Sequence, residues 1–407
     1  MRGFSACSKD DSGNQQQEPE YPSPTPVPSA DYKGLAFISS GESTVRLAQV
    51  GTPYEISLEY STDESHWKPY TIGETITLAD STFLLFRSGE HKNRKFSKDD
   101  ENYYHFEISG PISAQGNIMS LLNRDFSTPL TFYGFFALFE GCTSLLSAPE
   151  LPATTMEQGC YSQMFAGCTS LKSAPELPAT KMEQGCYFGI FSECTGLTSA
   201  PELPANVLAN NCYGWMFKGC SALTSAPELP ATEMGSYCYN GMFANCTKLT
   251  SAPELPAKRL ESNCYNCMFE GCTSLTSAPE LPATYLVREC YHSMFNGCTS
   301  LASAPKLPAT TLAWGCYSEM FQGCTSLTSA PELPAKELIR NCYQLMFKDC
   351  SKLRYVKALF TTSPSEETTK DWLSGVAASG TFVKSKNATW NVTGVHSIPK
   401  GWKIETQ

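Results

Sequence analysis

Cys160-Tyr-Ser-Gln-Met-Phe-Ala-Gly-Cys168-Thr-Ser-Leu-Lys-Ser-Ala-Pro-Glu-Leu-Pro-Ala179 is one unit of a pattern that fills the middle of this 407-residue chain. Cysteines recur at 142, 168, 194, 220, 246, 272, 298, 324 and 350, a step of 26 each time. A second series runs through 160, 186, 212, 238, 264, 290, 316 and 342 with the same step. Of the 19 cysteines, only Cys7 and Cys267 fall outside the two series. Ser-Ala-Pro-Glu-Leu-Pro-Ala recurs in phase from Ser147 to Ala335, in eight copies, one of which carries Lys306 in place of Glu. A fixed period without insertions predicts a solenoid, in which each unit buries its apolar face against its neighbours.

Within the unit, Cys160, Tyr161, Met164, Phe165 and Cys168 are spaced i, i+1, i+4, i+5, i+8. That spacing predicts one buried stripe on a short helix, with Gly167 suited to its stop. Leu171 and Ala174 point inward around a short extended segment. Pro175 and Pro178 cannot donate to a sheet ladder, so any strand is about three or four residues long and runs into polyproline-like chain. A second inward position follows at Met182, aligned with Met156, Leu208 and Leu260. The expected fold class is an α/β solenoid of helix, turn, short strand and return.

Met268–Ser277 and Met320–Ser329 read Met-Phe-x-Gly-Cys-Thr-Ser-Leu-x-Ser. This pattern resembles the leucine-rich repeats of bacterial BspA-like surface proteins, and the likeness extends over roughly 134–358. The chain departs from that family where Ala-Pro-Glu-Leu-Pro replaces the usual Ile and Leu strand residues. The resemblance implies cell-surface binding or adhesion, no catalytic residues and no cofactor.

Both ends of the repeat array read as caps. Residues 117–142 keep the phase without the consensus: Phe135, Leu138 and Phe139 occupy the Tyr, Met and Phe columns, and Gly134 stands where a cysteine would be. The solenoid is therefore placed at 116–358, with an atypical first coil. Residues 359–407, with Trp372 and Trp402, read as a capping segment over the last apolar face. Upstream, Tyr54–Tyr60 alternates apolar and polar residues, and Thr75–Leu78, Phe83–Arg87 and Tyr104–Ile108 are further strand-like runs. This predicts a small β-sandwich over 31–115, of immunoglobulin-like kind.

Residues 1–30 carry a different signal. Phe4-Ser-Ala-Cys7 resembles the end of a lipobox, and Ser8-Lys-Asp-Asp11 resembles an acidic sorting signal of surface lipoproteins. Six residues are too few for the apolar core of a signal peptide, so the expectation is a lipoprotein whose true start lies upstream, lipidated at Cys7. The alternative is that Cys7 is incidental. The Pro-rich run Glu18–Pro28 reads as a tether. The expected location is the cell exterior, held to the outer membrane by lipid alone, since no run of 18 apolar residues exists.

Composition narrows the partners. Net charge is −10 and charged residues are 17%, so no basic footprint for nucleic acid is visible. The cysteine columns suit buried free thiols; disulfides between coils remain open in an exported protein. Cys264-Tyr-Asn-Cys267 is the only C-x-x-C, and a zinc site needs a second ligand pair. Glutamates at 150, 176, 202, 228, 254, 280 and 332 form a column read as a solvated acidic strip, with a calcium site or glycan contact as lesser readings. One group repeated seven times does not supply the two different roles that glycoside hydrolysis needs. Between repeats, the columns through Thr155 and Gln158 vary while the stripe does not, which predicts outward-facing positions. Trp215, Tyr285, Trp314 and Arg288 are the candidate contact residues for a protein ligand, with a surface glycan as the alternative.

Overall fold

The computed structural model describes residues 27–407, so Cys7 and most of the Pro-rich run lie outside the described residues. Eight strands form the N-terminal region: β1 (Leu35–Ser39), β2 (Ser43–Val50), β3 (Leu58–Ser61), β4 (Lys68–Pro69), β5 (Thr75–Leu78), β6 (Phe83–Ser88), β7 (Tyr103–Ser109) and β8 (Ile112–Gln115). Alternation along β2 buries Ser43, Val45 and Leu47 and leaves the residues between them half-exposed. One sheet has the order β4-β3-β6-β1-β8 and the other β5-β2-β7. The rings of Phe37, Phe86 and Phe106 meet edge-on or tilted, 5.1–6.0 Å apart, joining β1 and β6 of one sheet to β7 of the other. The two-sheet packing agrees with the sequence reading. An immunoglobulin-like order is not confirmed, because β1 rather than a late strand lies beside β6.

No linker separates this region from the repeats. Strand β9 (Leu145–Ser147), in the second coil, extends the first sheet by pairing in parallel with β8. Coils are numbered here by their closing cysteine, from coil 1 at 117–142 to coil 9 at 325–350. Phe106 of β7 stacks on Phe139 at 5.2 Å, and Phe96 stacks on Phe135 at 5.8 Å. Cys142 Sγ donates to the Phe106 carbonyl. The N-terminal region therefore supplies the floor on which the first coil is laid.

The stripe Cys160, Tyr161, Met164, Phe165, Cys168 is fully buried, as its spacing requires. Its backbone is not helical. The predicted helix per coil is replaced by a ribbon of tight turns, and among the described residues the helical elements are a 3₁₀ turn at Ile118–Leu121 and α1 (Glu366–Thr369). Amides within the ribbon alternate in direction. Ser162, Met164, Ala166 and Cys168 donate three residues back, to Gly159, Tyr161, Gln163 and Phe165. Gly159, Gln163, Phe165 and Gly167 instead donate to the next coil, to the carbonyls of Gln184, Phe188, Ile190 and Ser192. A helix would spend every amide inside its own turn. The alternation demands left-handed backbone at Gly159, Tyr161, Gln163 and Gly167, with φ of 68°, 58°, 55° and 74°. The glycine adopts this without steric cost, and the burial of the whole stripe holds the tyrosine there.

Stacking the ribbons produces unbroken columns. Phenylalanines from Phe139 to Phe347 lie in near-parallel stacks 5.4–5.8 Å apart. Tyrosines from Tyr161 to Tyr343 do the same at 5.8–6.1 Å. The extended side of the coil is sparser than predicted. It consists of single bridges such as Ser173 to Ser199 and one two-residue pair, β10 (Val207–Leu208) with β11 (Glu233–Met234).

One discontinuity interrupts the stack. Tyr187, Tyr213 and Tyr239 donate their amides backward, to Cys160, Cys186 and Cys212. Tyr265, Tyr291 and Tyr317 donate forward, to Cys290, Cys316 and Cys342. The Cys-Tyr peptide thus reverses between coils 5 and 6.

At the far end the predicted cap is built as further, divergent coil. Strands β12 (Tyr355–Ala358), β13 (Thr381–Lys384) and β14 (Lys403–Thr406) form a parallel sheet. Phe347 donates its amide to Trp372, whose indole in turn donates to the Ser397 carbonyl. Trp372 is fully buried and closes both the phenylalanine and tyrosine columns. Phe106→Ala would remove the floor of the phenylalanine column and is expected to cost about 3–5 kcal/mol. Urea unfolding of the full chain checks this; a loss below about 1 kcal/mol would show that the first coil stands without that ring.

Candidate functional site

Each cysteine of the closing column is a small apolar group with one donor. Cys168 Sγ lies 3.1 Å from the Phe139 carbonyl, and the same contact recurs from Cys194 to Phe165 and on to Cys350 with Phe321. The accepting carbonyl already takes the cysteine amide of its own coil, as Phe165 does from Cys168. The thiol therefore fills its second lone pair, in a space too small for a larger polar side chain. All eighteen described cysteines are free thiols, and the seventeen in the two columns are buried. Burial pushes the thiols of Cys142, Cys194 and Cys272 up to about 12. Thiolate is the reactive form, so the column thiols are chemically silent near neutral pH. Tyr161, Tyr187, Tyr213, Tyr239, Tyr265 and Tyr291 keep buried hydroxyls without a protein partner, and burial raises their ionisation likewise.

Cys267 stands apart. It is half-buried, its thiol lies 2.8 Å from Asn266 Oδ1, and burial together with Glu270 pushes it up to about 12. Ser293 and Glu319 follow it up the same column, their side chains 3.2 Å apart. His292 Nε2 lies 3.8 Å from Glu319, too far for a hydrogen bond. Among the described residues no three His, Cys, Asp or Glu side chains come together as a metal site.

The four candidate contact residues divide into two places. Arg288 and Trp314 are column neighbours, and the guanidinium lies over the indole at 4.4 Å. This cover leaves Trp314 half-buried, a correction to the sequence expectation of a freely exposed ring. Tyr285, three residues before Arg288, is 70% exposed. Trp215 sits four coils away from Trp314, in coil 4, leaning on Phe188 at 5.3 Å with Lys218 above it. Gly241 in the next coil, φ 57°, makes room for that indole, since a Cβ there would meet Trp215 Cδ1 at 2.5 Å.

Two kinds of hollow were not visible in the sequence. A cavity of about 290 Å³ opens where the N-terminal region meets the ribbon, lined by Asp100, Tyr133, Phe136, Gln158, Gln184 and Phe188. Three others lie between successive Ala-Pro-Glu-Leu-Pro segments, at coils 2 and 3, 4 and 5, and 6 and 7, of about 390, 420 and 410 Å³. The signal for these was the proline pair itself, which denies adjacent coils a backbone ladder.

A family model for the BspA type leucine-rich repeat region matches residues 161–301 and 240–365, in six copies. The two matches together span just over half of the chain. The chain belongs to the BspA-type leucine-rich repeat family. A search of the curated proteins finds no match. Family membership suggests a surface or protein-interaction role.

In a native BspA-type chain the seventeen column thiols should resist iodoacetamide at pH 8 and become labelled in guanidinium; substantial native labelling would contradict their burial. Stability has a direction as well. A thiol that ionises near 9 when unfolded and near 12 when folded favours the fold fully below pH 9. That contribution drains away as pH rises from 9 to 12, by about 1.4 kcal/mol per pH unit for each such thiol. Urea midpoints should be flat from pH 7 to 8.5 and fall steeply above 9.

Proposed function

We propose that this protein is a non-catalytic cell-surface binding and adhesion protein that presents its solenoid to a protein ligand of a host or of another microbe. One observation carries the reading: Arg288 over Trp314 at 4.4 Å, with Tyr285 exposed three residues before Arg288 in the chain, on coils whose interiors are fixed by stacking. Trp, Tyr and Arg are the residue types that dominate binding hot spots. Holding them on a rigid scaffold lowers the ordering cost of association. In the same reading, lipid on Cys7 anchors the chain to the outer membrane, and the Pro-rich run gives reach. Among the described residues no helix is long and apolar enough to cross a membrane.

A second reading, capture of a surface glycan for uptake, is favoured by the cavity at the N-terminal junction. Amide side chains of Gln158 and Gln184 beside the rings of Tyr133, Phe136 and Phe188 are the groups that hydrogen-bond and stack on sugars.

Parallel protein and glycan arrays separate the two. Saturable binding to a protein is expected, weakened about thirtyfold by Trp314→Ala, which corresponds to about 2 kcal/mol. Unchanged circular dichroism would confirm that the fold survives. Binding confined to glycans and abolished by Gln158→Ala would replace the first reading with the second. Fractionation of a gene product extended upstream tests the anchor: recovery in the soluble fraction would remove the lipid from the account.

A further inference from the structure

The Ala-Pro-Glu-Leu-Pro face is built unlike the rest of the coil. Among the described residues no backbone–backbone hydrogen bond involves 175–178, 201–204, 227–230, 253–256, 279–282 or 305–308. Two of the four residues are prolines and have no N–H, and the Glu and Leu amides between them find no backbone partner in the neighbouring coil. The bonds resume at the ends. Glu150 exchanges with Gly116 and Ile118 at the start of the first coil, and Leu333 exchanges with Lys357 and Leu359 of the cap. Between them the coils part into clefts walled by paired proline rings, with a buried leucine, such as Leu151 or Leu203, at the base. Unpaired donors and acceptors thus flank an apolar floor.

Charge on this face is equally specific. Glu150, Glu176, Glu202, Glu228, Glu254 and Glu280 are all exposed, and none joins an ion pair among the described residues. The strip ends abruptly after coil 7. Lys306 replaces the next glutamate, and Glu332 is bound to Lys357 Nζ at 2.9 Å. Lys258 is the one cation lining the three clefts. Six uncompensated carboxylates therefore lie in a row over six successive coils.

We propose that this proline-walled, carboxylate-edged face binds an extended basic polypeptide segment laid across the coils. Charge complementarity and the unpaired backbone select the occupant. Basic side chains of such a ligand meet the row of carboxylates, its other residues lie on the proline rings, and its backbone reaches the unpaired Glu and Leu amides. The proposal rests on reading the solenoid as a binding scaffold. It uses a face distinct from Arg288 and Trp314, so either contact can fail without the other.

Fluorescence anisotropy with labelled (Lys-Pro-Pro)6 on the full chain at low ionic strength tests it. The quadruple variant Glu176→Gln, Glu202→Gln, Glu228→Gln, Glu254→Gln changes only exposed side chains. It is expected to bind at least tenfold more weakly. The matched variant Glu157→Gln, Glu183→Gln, Glu233→Gln, Glu337→Gln removes the same charge elsewhere and is expected to bind within twofold of the parent, as is Trp314→Ala. Equal weakening in both glutamine variants would reduce the effect to net charge and overturn the proposal. No peptide binding, or binding of a neutral oligosaccharide instead, would also overturn it.

Discussion

Everything in the solenoid depends on where alternate backbone amides of the turn ribbon point. Gly159, Gln163, Phe165 and Gly167 send theirs to the following coil, and the same is repeated coil after coil. Because each donor reaches an acceptor 25 residues onward, the period of the sequence is a hydrogen-bonding requirement as much as a packing one. An insertion of one residue would misplace every amide above it. The same bonds bring aromatic rings into stacks under 6.2 Å apart, so burial and hydrogen bonding reinforce the same register. Cysteine suits its column because nothing else so small both avoids water and offers a proton to a half-satisfied carbonyl.

The interior was legible in the sequence because burial follows identity: from coil 2 to coil 9 the columns of Cys160, Tyr161, Met164, Phe165 and Cys168 change once, at Ile190, and are never exposed. The backbone that carries them was not. A stripe at i, i+1, i+4, i+5 suits a helix and also suits a ribbon of three-residue turns, since both bring those positions to one side. The glycines at 159, 167, 189 and 241, all at positive φ, were the available hint, but Tyr161, Tyr187 and Trp215 adopt the same conformation without any compositional sign. The contact of Arg288 with Trp314 was implicit in their separation of 26. That Trp314 would be half-covered as a result required the side-chain geometry. The clefts escaped notice for a different reason: proline was read as ending a strand, when its larger effect is to keep two neighbouring coils from bonding at all.

The architecture divides labour cleanly. Groups able to do chemistry, thiols and phenols, occur in greatest number where desolvation holds them neutral. Variation is confined to side chains on a surface whose spacing the interior dictates. Such a molecule specialises by changing single exposed residues on a fixed lattice, as Lys306 does in a row of glutamates.

The reversal of the Cys-Tyr peptide between coils 5 and 6 has a mechanical meaning. The peptide is planar and trans, so Cys238 aims its carbonyl at coil 6 while Cys264 aims its carbonyl at coil 5. Neither accepts a backbone hydrogen bond, although its counterparts Cys212 and Cys290 both do. Two like dipole ends meet there in place of a bond. A rod pulled along its axis has at that level one fewer bond to break and a repulsion already in place. The protein thus carries a built-in parting line near its middle, with a lower group of coils braced by the N-terminal sheets and an upper group braced by Trp372.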